Sequence, residues 1–285
     1  MTSYRSVFRD GLFAGRSGIV TGAGSGIGRC TAHELAALGA KVALVGRKAE
    51  KLEAVAREIA DAGGVAHCYT ADIRDEERVQ KVVRAVLADF GRIDFLVNNA
   101  GGQFSSPLEK ISAKGWDAVV RTNLTGGFLV AREVYTRWMK ENGGAIVNMI
   151  ADMWNSMPGM GHSGAARAGM LNFTETAALE WAPVRVNAVA PGWIASSGLD
   201  HYPPHMREHI RALPGKVPLG RLGTESEISA AVVFLLSPAA AFISGSCIRI
   251  DGAVPNVKPN YTLPPRGTTV AFDGFHLATK PKVLE

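Results

Sequence analysis

The chain has 285 residues, of which 47% are hydrophobic and 20% are charged, a composition typical of one globular domain with a well-buried core. No apolar run approaches the ~20 residues of a membrane span, and the first residues lack the apolar core of a signal peptide, so we expect an intracellular protein. The formal charge of +5 comes from scattered lysines and arginines, and the three cysteines lie far apart, which argues against a nucleic-acid surface, a disulfide framework and a metal site.

Strand and helix patterns alternate along the chain. Short apolar runs predict strands, and apolar residues at helical spacing predict the helices between them. The predicted strands cover 17–20, 41–45, 65–71, 93–97, 145–150, 184–189 and 247–250, and the predicted helices cover 29–38, 49–62, 76–90, 116–140, 165–181 and 225–236. Such alternation implies a doubly wound parallel sheet in a single three-layer αβα domain. Ligands of these sheets lie across the carboxyl ends of the strands.

The first strand is followed by TGAGSGIG at residues 21–28 and then by a helix. Backbone N–H groups and the positive end of a helix dipole meet there, which predicts a site for a pyrophosphate. The spacing is GxxxGxG, because Ile27 stands where the GxGxxG form has its third glycine. A flexible glycine loop is the alternative, and the strand before and helix after argue against it. The residues that we assign to the cofactor here are Gly22, Ser25, Gly26, Ile27 and Gly28.

The loops after the second and third strands bear on the identity of the cofactor. Arg47 and Lys48 stand where an enzyme that reads a free ribose 2′-hydroxyl places an acidic residue. Two cations favour a 2′-phosphate, and therefore NADPH; the alternative is that both are solvated cations at a helix start. After the third strand, Asp72 can accept a hydrogen bond from the adenine amino group, with Ile73 beside it.

Four motifs occur in the order that is typical of one enzyme family: TGAGSGIG at 21–28, NNAG at 98–101, Asn123, and PGWIAS at 191–196. Over about residues 15–252 the chain resembles the short-chain dehydrogenase/reductase family. The resemblance implies a Rossmann-type, nicotinamide-dependent oxidoreductase that is commonly a homotetramer. It also implies that Asn99 supports the glycine turn. Further cofactor contacts are implied for Ala100, Gly101, Pro191, Gly192, Ile194 and Ser196.

The chain departs from this family at the catalytic residues. The family uses a serine, a tyrosine and a lysine four residues after the tyrosine, whereas Ser163 and Arg167 stand at the last two positions and Ile150 or Ala151 at the first. An aliphatic hydroxyl is far less acidic than a phenol with a pKa near 10, so ordinary ketone reduction is disfavoured. Arg167 cannot exchange protons, but its guanidinium can still hold the nicotinamide ribose hydroxyls.

Three longer stretches carry a closer resemblance: FLVNNAGGQF at 95–104, KGWDAVVRTNLTG at 114–126 and HSGAARAG at 162–169. They resemble the peroxisomal trans-2-enoyl-CoA reductases and their bacterial relatives, neighbours of the 2,4-dienoyl-CoA reductases. This implies NADPH-dependent reduction of an activated carbon–carbon double bond in an acyl thioester, with charge collecting on the thioester oxygen. Two alternatives remain: an NADP-dependent alcohol or carbonyl dehydrogenase acting on an acyl or terpenoid-like substrate, and a non-catalytic dinucleotide-binding protein.

Three further residues have alternative roles. Mitochondrial dienoyl-CoA reductases carry a tyrosine fifteen positions before the lysine, and counting back from Arg167 gives Asp152. Asp152 is a candidate for proton transfer if burial raises its pKa, and otherwise caps a turn. His162 either relays protons or makes a local hydrogen bond. Asn123 disfavours a helix interior, so its amide either bends the helix around a water or contacts substrate.

The remaining segments are expected to surround the substrate. Four large side chains in one loop either wall an acyl chain or fill the core: Met153, Trp154, Met157 and Met160. Residues 193–220, which we call the lid segment, form a long connection that should cover the substrate. The tail at 253–285 has no periodic pattern, so it either wraps a neighbouring subunit or is partly disordered. The chain ends without a peroxisomal signal, and we expect a bacterial cytoplasmic protein.

Overall fold

The computed structural model describes residues 3–258, 260–263 and 267–285. Seven parallel strands form one sheet in the order β3-β2-β1-β4-β5-β6-β7. The strands are β1 (Ser17–Thr21), β2 (Lys41–Gly46), β3 (Val65–Thr70), β4 (Phe95–Asn98), β5 (Ala145–Met149), β6 (Arg185–Pro191) and β7 (Cys247–Ile250). Helices cover both faces of this sheet, so the predicted doubly wound, Rossmann-type fold in a single domain is confirmed.

The helices follow the predicted alternation. They are α1 (Gly26–Ala37), α2 (Ala49–Asp61), α3 (Glu76–Phe90), α4 (Ala113–Val120), α5 (Gly126–Val134), α6 (Lys140–Asn142), α7 (Gly161–Glu180), α8 (Arg207–Ala212) and α9 (Glu225–Leu236). Two π-helical segments, Arg121–Thr125 and Tyr135–Met139, join α4, α5 and α6. These five pieces form one continuous helix over 113–142, where the sequence predicts a helix at 116–140.

Side-chain alternation along the strands divides the core between the two faces. Ile19 and Val20 are adjacent and fully buried, and they belong to opposite layers. Val20 packs in the layer of α1, α2 and α9, whereas Ile19 packs in the layer of α3 and α5. Each layer removes large aliphatic side chains from water, at ~25 cal/mol per Å² of apolar surface, and so holds the carboxyl edge of the sheet in place.

Local signals fix several helix ends. The Asp75 side chain accepts the Arg78 N–H at the start of α3, and Gly91 ends that helix with a φ of 74°. The start of α9 is a capping box: Thr224 Oγ1 accepts from the Glu227 N–H, and the Glu227 carboxylate accepts from the Thr224 N–H. Such caps satisfy N–H groups that lack intrahelical partners.

The lid segment and the tail lie against one end of the sheet. The lid segment contains short 3₁₀ turns and the two-turn helix α8. The tail runs back past the amino-terminal segment and α1: the Arg5 N–H donates to the Gly274 oxygen at 2.9 Å, and the Arg29 guanidinium lies 5.0 Å from the Phe275 ring centroid. Its residues 259 and 264–266 lie outside the described residues.

Among the described residues there is neither a membrane-spanning helix nor a cluster of metal ligands. No helix in 3–258, 260–263 and 267–285 is both long and apolar enough to cross a membrane. Over the same ranges no group of three or more His, Cys, Asp or Glu side chains is placed to hold a metal ion. Of the cysteines, Cys30 is buried, and Cys68 and Cys247 are half-buried.

Candidate cofactor and substrate site

The glycine turn joins β1 to α1 at the carboxyl edge of the sheet. Gly22 and Gly26 have φ values of +67° and +59°, which side chains disfavour. A Cβ on Gly28 would lie 2.4 Å from Asn99 Nδ2 and 2.4 Å from the Gly22 oxygen. The Ser25 hydroxyl makes no hydrogen bond to the described first turn of α1. The backbone can therefore present its N–H groups to an anion, as the predicted pyrophosphate site requires.

Asn99 fastens the end of β4 beneath this turn. Its Nδ2 donates to the Thr21 oxygen at 2.9 Å and to the Gly22 oxygen at 3.4 Å. The Thr21 hydroxyl accepts the N–H groups of Asn99 and Ala100 at 3.0 and 2.9 Å. Asn99 and Ala100 thus lie next to the turn that the family resemblance assigns them to.

Cations gather at the ends of β2 and β3. Arg47 and Lys48 are exposed where α2 begins. The carboxylate of Asp72 pairs with Arg74, whose Nε lies 2.9 Å from Oδ1, and the pKa of Asp72 is lowered by these hydrogen bonds and by the charges of Arg74 and Arg47. Ile73 is buried beside it. Sequence reasoning missed Arg74, which makes this edge positive even with Asp72 ionised.

A cavity of about 320 Å³ opens beside the glycine turn. It is lined by Gly24, Ser25, Gly26, Arg29, Lys51, Ala54, Val55, Glu58, Ser197, Glu225 and Thr279. Arg29 Nε and Nη2 each lie 2.8 Å from the Glu58 carboxylate. Burial raises the pKa of Glu225 to about 7, against the opposing charge of Arg29. Sequence reasoning missed Glu225 because an acidic residue in the first turn of a helix is ordinary.

Helix α7 presents His162, Ser163 and Arg167 toward this edge. The Ser163 hydroxyl donates to Gln103 Oε1 at 2.6 Å. His162 Nδ1 accepts the Ser163 N–H at 2.9 Å, while its ring lies edge-on to Phe104 with centroids 4.5 Å apart. His162 Nε2 is buried with no hydrogen-bond partner among the described residues. These contacts favour the local hydrogen bond over a proton relay for His162.

Arg167 is a buried cation with few partners. Only 9% of its surface is exposed, its Nη1 donates to the Met149 oxygen at 2.6 Å, and burial lowers its pKa to about 10. Its Nε has no hydrogen-bond partner among the described residues. A Cβ on Gly101 would lie 2.6 Å from Arg167 Nη2. Buried charges need polar partners, and ribose hydroxyls would provide them for Arg167, so the residues present fit a nicotinamide nucleotide.

Asn123 lies in the first π-helical segment, a feature that is frequent at functional sites. Its Nδ2 donates to the Gly102 oxygen at 3.0 Å, and its Oδ1 accepts the Gly102 N–H at 2.9 Å. The amide therefore pairs with a backbone amide of the loop after β4. Neither sequence interpretation, a water in the helix or a substrate contact, named this contact, which holds the loop between Gly101 and Gln103.

Asp152 lies farther along the same edge. Burial and the charge of Asp251 raise its pKa, and Arg249 opposes them. Its Oδ1 is buried without a partner among the described residues, and its N–H donates to the Pro191 oxygen at 3.3 Å. The pKa condition for proton transfer is met, but the charged groups that act on this carboxyl lie at the end of β7 and not on α7.

The loop after β6 is held by backbone hydrogen bonds. The Gly192 N–H donates to the Ile250 oxygen at 2.9 Å, and Ile194 forms a β-bridge with Gly223. The Ser196 N–H returns to the Ile194 oxygen at 2.9 Å. The loop that the resemblance places near the nicotinamide amide is thereby fixed at the edge of the sheet.

Tyr202 of the lid segment contacts the loop after β4. Gln103 Nε2 donates to the Tyr202 hydroxyl at 3.3 Å. Gln103 and Tyr202 are also residues that sequence reasoning missed, and no local pattern links them. Near the lid, Trp154 is exposed, with the Arg249 guanidinium 5.4 Å from its ring centroid.

Known proteins resemble this chain over most of its length, and they carry different named activities. Residues 22–254 match a family model described as enoyl-(acyl carrier protein) reductase. A solved structure from Pseudomonas aeruginosa PAO1, named citronellol catabolism dehydrogenase, is 62% identical, covers 88% of this chain and 99% of its own, and has a TM-score of 0.80. A Bacillus subtilis protein named “probable 2,4-dienoyl-CoA reductase” is 38% identical over 82% of this chain and 94% of its own. A Synechocystis 3-oxoacyl-(acyl-carrier-protein) reductase is 38% identical over 83% and 95%.

Proposed function

Because the chain belongs to the short-chain dehydrogenase/reductase family of NAD(P)-dependent oxidoreductases, we propose that it uses NADPH to reduce the activated double bond of a trans-2-enoyl thioester. The observation that carries this proposal is the pair formed by Ser163 and Arg167. The Ser163 hydroxyl donates a hydrogen bond to Gln103, and the guanidinium of Arg167 keeps its proton at working pH. Neither group therefore supplies a proton beside the carbon that receives hydride.

The two reaction classes need an acid in different places. Reduction of a ketone makes an alkoxide on the carbon that receives hydride, so an acid must lie directly beside that carbon; such help is worth ~10²–10⁴ in rate. Reduction of an enoyl thioester sends hydride to the β-carbon and charge to an oxygen three bonds away. A site without an acid on α7 therefore favours the thioester.

The cofactor would be held by residues along the whole edge. Bound NADPH supplies the hydride. The glycine turn would bind the pyrophosphate, Arg47 and Lys48 with Arg74 would bind the 2′-phosphate, and Arg167 would bind the nicotinamide ribose. Ile194 and Ser196 would lie at the nicotinamide amide, and Asn123 keeps the loop after β4 in position.

Two comparisons support enoyl reduction. The matching family model is described as an enoyl reductase, and the Bacillus subtilis relative is named as a dienoyl-CoA reductase. The second candidate, an NADP-dependent alcohol or carbonyl dehydrogenase on a terpenoid-like or acyl substrate, is favoured by the names of the Pseudomonas structure and the Synechocystis reductase. These named activities give no support to a non-catalytic binding protein.

A spectrophotometric screen of NADPH oxidation tests the proposal. We expect turnover of trans-2-enoyl-CoA substrates of graded length, including one with terpenoid-like methyl branches, and little turnover of simple ketones and aldehydes. NADP⁺ with citronellol tests the second candidate in the reverse direction. Ready oxidation of citronellol, with every enoyl-CoA left unreduced, would replace the first candidate by the second.

We further propose that the protein works as a homotetramer in a bacterial cytoplasm. Its family and bacterial relatives support this, as do the large apolar side chains that the single chain leaves exposed, among them Leu179 and Phe242. Where such side chains form contiguous patches, they mark surfaces between subunits. Light scattering coupled to size-exclusion chromatography tests the assembly, and a monomeric mass would contradict it.

A further inference from the structure

Three polar side chains form a chain of hydrogen bonds from α7 to the lid segment. Ser163 Oγ donates to Gln103 Oε1 at 2.6 Å, and Gln103 Nε2 donates to the Tyr202 hydroxyl at 3.3 Å. One amide group therefore separates the serine that replaces the family tyrosine from a tyrosine that belongs to another part of the chain.

The direction of these hydrogen bonds decides which hydroxyl can act as an acid. The Ser163 proton is used in the hydrogen bond to Gln103, because the carbonyl oxygen of Gln103 can only accept a hydrogen bond. The Tyr202 oxygen accepts from Gln103, so its own proton remains for another acceptor. Gln103 thus holds the Tyr202 oxygen in place and leaves the phenol proton available to another acceptor.

The lid segment holds the tyrosine in this position. Tyr202 packs against an apolar cluster built around Ile210, Leu213 and Val217, and Val283 of the tail belongs to the same cluster. The side chain is only partly exposed, so water can reach it while its ring stays packed. A residue that is held in this way is better placed for catalysis than one on a free loop.

The position of the phenol fits the proposed substrate. A tyrosine on α7 would meet an oxygen attached to the carbon that receives hydride. Tyr202 is displaced from that place by the length of a glutamine amide, toward the lid. In a conjugated thioester the developing charge is likewise displaced, onto an oxygen three bonds from the β-carbon.

We propose that Tyr202 is the catalytic acid of the reaction, an inference that rests on the proposed function. Hydride bonds to the β-carbon, the π electrons of the double bond move toward the carbonyl, and the thioester oxygen takes the Tyr202 proton to give an enol. Gln103 Nε2 stabilises the phenolate until water reprotonates it. The enol returns its O–H proton to water while the α-carbon takes a proton from water. The sum is one hydride and one proton added to the substrate.

The two other candidate acids are placed less well. Asp152 is influenced by Asp251 and Arg249 at the end of β7. His162 is fully buried against Phe104, and its Nδ1 is occupied by the Ser163 N–H. Among the described residues neither side chain hydrogen-bonds to the lid segment, whereas Tyr202 belongs to that segment, which we expect to cover the substrate.

Steady-state kinetics of Tyr202→Phe test the proposal on the full-length protein, with trans-2-enoyl-CoA and NADPH. We expect kcat to fall ~10²–10⁴-fold, the usual contribution of a general acid, with the Kd of NADPH unchanged in a fluorescence titration. Tyr261→Phe is the matched control, because Tyr261 is an exposed tyrosine of the tail, and it should behave as the wild type. A kcat of Tyr202→Phe within about twofold of the wild type would overturn the proposal.

Gln103→Leu tests whether the three side chains act as a unit. The single variant should lower kcat with little change in KM. Added to Tyr202→Phe, it should cause no further loss of kcat, since the effects of residues that act together are non-additive. If the two losses of kcat multiply, the three side chains do not act as a unit. If the screen shows turnover of a carbonyl substrate instead of the enoyl thioester, the same variants are measured on that substrate. A large loss there would retain Tyr202 as the acid and discard only the proposed function.

Discussion

Arg167 keeps its charge at working pH although its surroundings oppose that charge. Burial lowers its pKa to about 10, still far above neutrality. Its Nε is unpartnered among the described residues, and Met149 supplies one carbonyl. A lysine in the same place would be brought closer to neutrality by the same burial. The arginine therefore retains a permanently charged donor where the family has a group that can exchange protons.

Arg47 should decide between the two nicotinamide cofactors. It is exposed at the end of β2, and a charge-assisted contact to the 2′-phosphate is worth ~1.5–3 kcal/mol. We expect Arg47→Ala to weaken NADPH roughly ten- to a hundredfold and to leave NADH unchanged, as measured by fluorescence titration. Arg84→Ala on α3, also exposed, is the control. Equal affinity of the wild type for NADPH and NADH would contradict the assignment.

Glu225 should make cofactor binding depend on pH. Its pKa in the folded protein is about 7, against an ordinary value of 4.5. The folded state thus binds more protons between these values, so the stability from this group is complete below pH 4.5 and is lost as the pH rises through 7. The same ionisation places an anion in the cavity beside the glycine turn. The Kd of NADPH should therefore rise as the pH passes from 6 to 8.

Glu225→Gln should remove this pH dependence while retaining the size of the side chain. Arg29, Lys51 and Glu58 line the same cavity and remain in the variant, so the difference between wild type and variant isolates Glu225. Glu50→Gln, at an exposed position of α2, should keep the wild-type dependence. Parallel curves for the wild type and Glu225→Gln would show that this carboxyl does not meet the cofactor.

At the scale of elements, the π-helical segment of residues 121–125 places Asn123 where its side chain hydrogen-bonds to the backbone of Gly102. Asn123→Ala would leave the N–H and the carbonyl of Gly102 without their partners, at a cost of ~1–3 kcal/mol in the free energy of unfolding. We expect kcat to fall as well, because Gln103 follows directly. Chemical denaturation and kinetics measure the two effects.

Asn142→Ala is the matched control in the same continuous helix. Its Nδ2 donates to the Trp138 oxygen at 2.9 Å at an exposed site, and exposed changes usually cost under ~0.5 kcal/mol. An Asn123→Ala variant as stable and as active as Asn142→Ala would mean that the loop after β4 holds its position without the hydrogen bonds from Asn123 to Gly102.

The elements themselves were accessible to sequence reasoning because their signals are local. Apolar periodicity predicted every strand of the sheet, and α3 and α9 lie at the predicted residues. Apolar spacing predicts that α7 starts at 165, whereas the helix begins at Gly161. The two glycines and the histidine of its first turn are not typical of a helix start. The π-helical segments were not predicted, since apolar spacing does not register one extra residue in a turn.

At the scale of the whole molecule, contacts distant in sequence determine what the local signals leave open. Gln103 and Tyr202 are 99 positions apart, and no periodicity relates them. Thr279 of the tail reaches the cavity beside the glycine turn, although its own segment has no pattern. The glycine turn and the loops after β4 and β6 follow from motifs, whereas the contact between Gln103 and Tyr202 depends on how the lid segment and the tail pack.

The end of the tail fastens the lid segment to the rest of the protein. The Asp200 carboxylate accepts the N–H groups of Lys282 and Val283 at 3.2 and 2.9 Å, and Arg211 Nε donates to the Val283 oxygen at 2.8 Å. Lids come from the less stable parts of a fold, so these three bonds should control how readily the segment opens, and with it the position of Tyr202.

Asp200→Ala should therefore loosen the lid segment and leave the sheet intact. Hydrogen bonds to a charged acceptor contribute ~1.5–3 kcal/mol each, enough to raise the KM for the thioester roughly tenfold and to speed proteolysis within 193–220. The unfolding of the sheet should stay as in the wild type, and the Kd of NADPH should change less than the KM, because the glycine turn, Arg47 and Arg167 lie outside 193–220. Asp10→Ala, at an exposed position near the amino terminus, should leave all four measurements unchanged. If Asp200→Ala retains the wild-type KM and the same resistance to protease, the apolar cluster around Ile210 and Val217 holds the lid without help from the tail.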